Sequence, residues 1–209
     1  MNIFYLDTDP KEAAIMHCDK HCVKMILETA QLLCTAHREL DGDYWADEVG
    51  LYKSAFKNHP SAIWVRETMP QYRWAFTLFY NLCKEYERRY RKTHKAFSLA
   101  EFLCIDPMNI FQQGWQEPPQ CMPDEYKCED TVEAYRNYYL GEKIIVQLRS
   151  GLMLRIRGND IELNDKKVAR LFDLNTFDLR ELEELFDKAN NYKRDVQAAY
   201  DNGRNESNE

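Results

Sequence analysis

The sequence predicts a mainly α fold: a compact helical domain with a long ordered loop over residues 1–143, plus a small C-terminal β-hairpin/α appendage. Three observations predict it. Apolar residues recur at helical spacing through residues 10–39, 62–90 and 131–143. Between Phe102 and Lys127 that period gives way to Pro, Gln and Met, while Phe111, Trp115 and Tyr126 supply enough apolar surface to order the stretch. After Lys143 the composition shifts to short aliphatic runs punctuated by Gly and Asn.

In order, Met1 to Pro10 reads as a short extended lead-in, with Asp9 as the cap of a long helix, Pro10 at its first position and Glu12 at its third. That helix is expected to run to about Glu39 and to end at Asp41-Gly42-Asp43. Tyr44 to Phe56 is an aromatic-containing loop or short helix. Asn58-His59-Pro60-Ser61 signals a turn and a helix start, with a helix from Ala62 to Thr68 stopping at Pro70 and another from Gln71 to about Tyr90. A further helix spans Thr131 to Lys143. Ile144–Arg149, Ser150-Gly151 and Leu152–Arg157 form a hairpin signal, with a third strand at Asp160–Leu163. Helical segments are expected around Lys166–Phe172 and Leu179–Tyr200. The domain organisation is thus residues 1–143 helical, 144–200 hairpin plus helices, and 201–209 a disordered polar tail.

Seven cysteines, odd in number and irregularly spaced, read as reduced thiols of a cytoplasmic protein rather than a disulfide framework. No apolar run approaches membrane-spanning length. The net charge of −7 is uneven: residues 1–100 balance at +1 and the remainder at −8. Phosphate attraction supplies most nonspecific nucleic-acid affinity, so any such binding must use local basic surface in the N-terminal half. The run from Lys84 to Lys95 is one candidate surface; it reads equally as a solvated helix end.

The long first helix carries the chemistry. His17, His21, Lys24, Glu28, Gln31 and Thr35 form a narrow polar line on an otherwise apolar cylinder, which implies a helix buried on most sides with that line facing a cleft or partner. Glu28 is a lone carboxylate in apolar surroundings, with burial expected to raise its pKa and Lys24, one turn earlier, to lower it. That tension suits a general base or electrostatic stabiliser, and equally a buried ion pair. His17 and His21 stand one turn apart, and His59 could complete a metal site, but no further ligands follow at metal-site spacing. Asn58 and His59 precede a helix start and Arg66 follows about two turns later, an arrangement that can hold phosphate. Tyr90, Lys92 and His94 mix aromatic and basic groups as strand binding requires.

Several stretches resemble a group of small tailed-phage proteins over about residues 1–143: Met1-Asn2-Ile3-Phe4 with Leu6-Asp7, Asp19-Lys20-His21 through Glu28, Asn58-His59-Pro60 with Trp64-Val65-Arg66, Lys92-Thr93-His94, and Met122-Pro123-Asp124. More remotely, the first helix is similar to that of phage pyrimidine-dimer DNA glycosylases, which carry Asp-x-His and a carboxylate seven residues after the histidine. Asp19, His21 and Glu28 match that pattern. The resemblance implies a compact, metal-free, cofactor-free helical enzyme that splays a base from the duplex. It gives Glu28 the role of stabilising an oxocarbenium-like sugar. Two features depart from it. Asn2 follows Met1 where the family exposes an N-terminal amine ahead of threonine, and Leu27 precedes Glu28 where the family has arginine. Lys24 is then the substitute amine, or the enzyme is monofunctional.

The expected function is therefore base processing on DNA or a nucleotide, of N-glycosylase type and phage origin. Glu28, His21 and Lys24 would be catalytic; Asp19, His17, Asn58, His59, Arg66, Lys92 and His94 would bind substrate or phosphate; and the host cytoplasm would be the location. Two alternatives remain open on the sequence. One is a non-catalytic phage protein binding a host protein through its acidic C-terminal half, and the other a metal-dependent nuclease using His17, His21 and His59.

Overall fold

The computed structural model describes residues 2–143 with their side chains and, beyond them, the backbone of residues 145–147, 153–157, 160–163 and 166–170. The chain divides into two compact units, Met1–Lys143 and Ile144–Glu209.

The first unit opens with Ile3–Leu6, an extended stretch whose four side chains are all buried. Helix α1 (Pro10–Met16) starts where the sequence places it: Asp9 accepts the Lys11 N–H at 2.8 Å and Pro10 fills the first turn. The expected single helix to Glu39 is, however, two. The chain becomes extended at His17 and Cys18, and α2 runs from Asp19 to Asp41. Tertiary bonds produce the break by satisfying the backbone groups that it frees. Arg89 donates to the carbonyls of Ile15 (2.9 Å) and His17 (2.7 Å), and the Tyr139 hydroxyl accepts the Cys18 N–H at 2.9 Å.

Gly42, with φ of +82°, ends α2 and starts α3 (Asp43–Glu48), a reversal that a side chain would strain. Arg38 pins the turn. Its guanidinium reaches Asp43 (2.6 Å), Asp47 (2.7 Å) and the carbonyls of Leu51 (2.8 Å) and Tyr52 (2.7 Å). Helices α4 (Pro60–Glu67) and α5 (Met69–Tyr90) follow. His59 caps α4, and Pro70 lies in the first turn of α5 rather than stopping its predecessor, the role that the sequence suggests for it. Proline lacks an N–H that the first turn does not use, so a start and a stop read alike.

The core forms where α2 packs most extensively on α5, with α1 against α5 and α4 against α2. Met25, Ile26, Leu32 and Leu33 from α2 and Leu78, Phe79 and Leu82 from α5 are fully buried. Burial stabilises each by roughly 1.5–3 kcal/mol. A 3₁₀ turn (Lys95–Leu99) and the one-turn α6 (Ala100–Leu103) lead into the expected ordered loop. Its backbone is tied down at several points: Phe111 O accepts Met69 N–H (2.8 Å), Gln116 O accepts Trp64 Nε1–H (2.8 Å), and the Asp41 carboxylate accepts the N–H groups of Met108 and Asn109. Helix α7 (Thr131–Tyr138) passes into a π-helical turn (Tyr139–Lys143) that brings Tyr139 inward.

In the second unit, β1 (Ile145–Gln147), β2 (Met153–Arg157), β3 (Asp160–Leu163) and β4 (Lys166–Arg170) form an antiparallel meander in sequence order. The hairpin and third strand match the sequence expectation. The helix expected from Lys166 is instead a fourth strand, with Leu163 paired to Lys166 across only two intervening residues, a hairpin spacing. The helical segment at Leu179–Tyr200 and the tail at 201–209 lie outside the described residues.

Candidate active site

The polar line of α2 is partly real. His21, Lys24 and Glu28 share one face at spacings of three and four, and Lys24 Nζ pairs with the Glu28 carboxylate at 3.1 Å. The Lys24 side chain is 61% exposed and that of Glu28 15%, so the carboxylate is neither sealed in the core nor free in solvent. The two ends of the line differ from its middle: Thr35 is buried and His17 only 1% exposed. His17 Nδ1 donates to Ala13 O at 2.6 Å, and its Nε2 is buried without a partner. It is a residue of the α1–α2 joint and does not reach solvent with the others.

His21 is held from two sides. Phe4 stacks on its ring at 4.7 Å and 22°, and the Tyr139 hydroxyl lies 3.0 Å from Nδ1. Burial first, then the charges of Lys24 and Lys143, bring its pKa down to about 4, against the opposing pull of Glu28. It is therefore a neutral imidazole near pH 7. His17 is likewise lowered to about 4, by burial above all.

Arg89 fixes this arrangement from behind. Besides the two carbonyls of the helix break, it reaches Glu85 Oε1 at 2.6 Å and Asp19 Oδ1 at 3.0 Å. Glu85 is 5% exposed and carries both Arg88 and Arg89, which with burial opposing hold its pKa down at about 2. Asp19 thus serves in an ion pair at the helix start. Within the Lys84–Lys95 run, Lys84 pairs with Glu87 at 3.0 Å and Arg88 and Arg89 share Glu85, while Arg91 and Lys95 are exposed. Lys92 is exposed, and His94 caps the 3₁₀ turn through Ala96 N–H (3.2 Å) while its ring packs on Tyr86.

The start of α4 approaches the same region. His59 Nδ1 accepts the Ser61 N–H at 3.2 Å. Cys121 joins this turn to the amino-terminal segment: Ser61 Oγ lies 3.7 Å from its sulfur, and Asn2 Nδ2 donates to its carbonyl at 2.9 Å. His59 has a lowered pKa, by burial and then by the positive amino terminus, with Glu28 acting in the opposite sense. Glu28 therefore exerts its field on both His21 and His59. Asn58 is exposed, and Arg66 donates to Lys57 O at 2.7 Å, bracing the loop that precedes the turn.

Among the described residues, no group of three or more His, Cys, Asp or Glu side chains is arranged to hold a metal ion. The three histidines of the metal alternative have separate Nδ1 partners, Ala13, Tyr139 and Ser61. A separate hollow of about 550 Å³ is lined by Glu117, Glu129, Asp130 and Glu133, a charge that repels phosphates.

Residues 1–98 match the family model for pyrimidine dimer DNA glycosylase. The match takes in α1 to α5, and with them Asp19, His21, Lys24, Glu28 and His59. It bears out the remoter of the two resemblances stated from sequence, that to pyrimidine-dimer DNA glycosylases, and points to a glycosylase-type activity on DNA. No curated protein and no solved structure matches the chain. Tyr139 and Lys143, which complete the surroundings of His21, lie beyond the matched span. Sequence spacing could not find Tyr139 as a partner of His21, because 118 residues separate them.

Proposed function

We propose that residues 1–143 form a DNA N-glycosylase unit in which Glu28 stabilises the transition state of base release. The observation that carries this reading is the half-buried Glu28 carboxylate, paired with Lys24 and two turns from a neutral His21, inside the span matched to pyrimidine dimer DNA glycosylases. As the base–sugar bond lengthens, positive charge grows on the sugar, and a carboxylate shielded from water stabilises it more than an exposed one. His21, neutral and fixed by Phe4 and Tyr139, orients the site without adding charge. Lys20, Lys24 and Lys143, whose charges all act on His21, give the nearby surface a positive character for the DNA backbone. Lys92 is an exposed candidate for a more distant phosphate contact.

Lys24 Nζ also places an amine 3.1 Å from the carboxylate, the pairing that a Schiff-base opening of an abasic site requires. Among the described residues no helix is long and apolar enough to cross a membrane.

The test compares wild type with Glu28→Gln on a panel of duplexes, each carrying one cyclobutane pyrimidine dimer, uracil or N-methylated purine. Base release should fall about 10²–10³-fold, as when a transition-state stabiliser is removed elsewhere, with duplex binding retained. Borohydride trapping on abasic DNA reports the lyase step, and Lys24→Met should abolish the trapped adduct. Equal base release by wild type and Glu28→Gln would overturn the assignment.

A further inference from the structure

The α4 start holds a histidine in a defined protonation pattern. Pro60 has no N–H, so Ser61 supplies the first free donor of the helix, and His59 Nδ1 takes it at 3.2 Å. With Nδ1 accepting, the ring proton sits on Nε2. Among the described residues Nε2 has no hydrogen-bond partner. The half-buried ring is felt by two charged groups, the amino terminus and the Glu28 carboxylate. Cys121 independently ties this turn to Asn2. The imidazole is thus a neutral N–H donor within electrostatic reach of the carboxylate, fixed by the helix that carries it.

We infer that His59 donates a hydrogen bond from Nε2 to the departing base, acting opposite Glu28 on the two ends of the breaking bond. The inference rests on the N-glycosylase reading. When C1′–N breaks, its electron pair moves onto the base and negative charge spreads to the ring nitrogen and carbonyl oxygens. Positive charge develops on the sugar at the same time. Glu28 stabilises the sugar and the Nε2–H stabilises the base, with no proton leaving His59. Water then supplies hydroxyl to C1′, and its proton ends on the base nitrogen. A cationic His59 would fit a phosphate contact instead, but protonating Nδ1 would set its N–H against that of Ser61.

The variant that separates these roles is His59→Asn. The asparagine carbonyl can cap Ser61 N–H as Nδ1 does, so α4 keeps its start, while the longer-reaching donor is lost. Wild type, Glu28→Gln and His59→Asn are compared in single turnover on the same duplex panel, with duplex affinity measured separately. Long-range ¹H–¹⁵N spectra of the wild type report which ring nitrogen of His59 carries the proton. The expected result is a proton on Nε2 at pH 7. For His59→Asn, base release falls about 10–100-fold, melting temperature changes little, and affinity stays within twofold. A proton on Nδ1 overturns the inference whatever the rates. Wild type active and Glu28→Gln impaired, with His59→Asn equal to wild type, overturns the inference alone. A His59→Asn defect confined to affinity marks a phosphate contact and also overturns it. A wild type silent on the whole panel removes the glycosylase reading itself, and the donor role with it.

Discussion

Acid should unfold the helical unit well above the pH at which carboxylates titrate, because its buried histidines are held neutral. His17 and His21 have folded pKa values of about 4 against 6.5 for the unfolded chain. A depressed histidine binds fewer protons folded than unfolded, so stability is fully present above the unfolded pKa and is lost as pH falls toward the folded one. Each group then costs about 2 kcal/mol by pH 5 and about 3 kcal/mol by pH 4. His37, also buried and lowered chiefly by burial, adds in the same direction, as do the half-buried His59 and His94. Two histidines alone remove about 4 kcal/mol between pH 7 and 5, a large part of the roughly 5–15 kcal/mol of an ordinary domain. Urea melts followed by far-UV circular dichroism at pH 7, 6, 5 and 4.5 would read this directly. With a slope near 2 kcal/mol/M, the midpoint should drop by about 2 M over that range. His17→Gln should flatten the dependence by about half. A midpoint unchanged between pH 7 and 5 would refute the claim that these rings are buried as neutral groups.

Two further changes probe the scaffold. Arg89→Met leaves Glu85, 5% exposed, with Arg88 as its remaining cation and removes the donors to Ile15 O and His17 O. It should cost about 3–5 kcal/mol, seen by calorimetry as a drop of roughly 10 °C, and should reduce base release by disturbing His21. Gly141→Ala puts a methyl 2.8 Å from the Tyr126 hydroxyl and 2.9 Å from its Cε1, so the ring must move off the π-helical turn. A loss of about 1–3 kcal/mol is expected in the same assay, together with a changed near-UV tyrosine signal.

What the sequence revealed follows the range over which each signal acts. Asp9-Pro10, the Gly42 break and the 145–157 hairpin are local, and all were legible. The interruption at His17-Cys18 was not. Its cause is Arg89 and Tyr139, more than 70 and 120 residues away, overriding a helix-compatible local sequence. The polar line on α2 was read correctly as a line and incorrectly as one uniform face. Once the helix breaks, His17 rotates into the core while His21, Lys24 and Glu28 remain together. Pro70 failed for a different reason: a proline marks a boundary without saying on which side the helix lies.

The charge distribution narrows how such a protein could hold DNA. Among the described residues, Arg38, Arg73, Arg88, Arg89 and Arg136 are committed to carboxylates, and Arg66 to a backbone carbonyl. Those guanidiniums brace turns and helix ends and are not free for phosphates; Arg91, exposed at the end of α5, is the exception among the described arginines. The position before Glu28, where the resembling family has arginine, is Leu27, 41% exposed. On the proposed reading, backbone attraction would then come from lysines near α2 and from Arg91, and a lysine ammonium is a point charge without the bidentate geometry of arginine. The same ammonium groups help keep His21 neutral. On the proposed reading, those lysine charges would do two things at once, drawing the polyanion in and keeping the imidazole from becoming a competing cation beside Glu28. On that same reading, discrimination among duplexes would be left to the base itself, through how readily it leaves the stack and how well its departing charge is received.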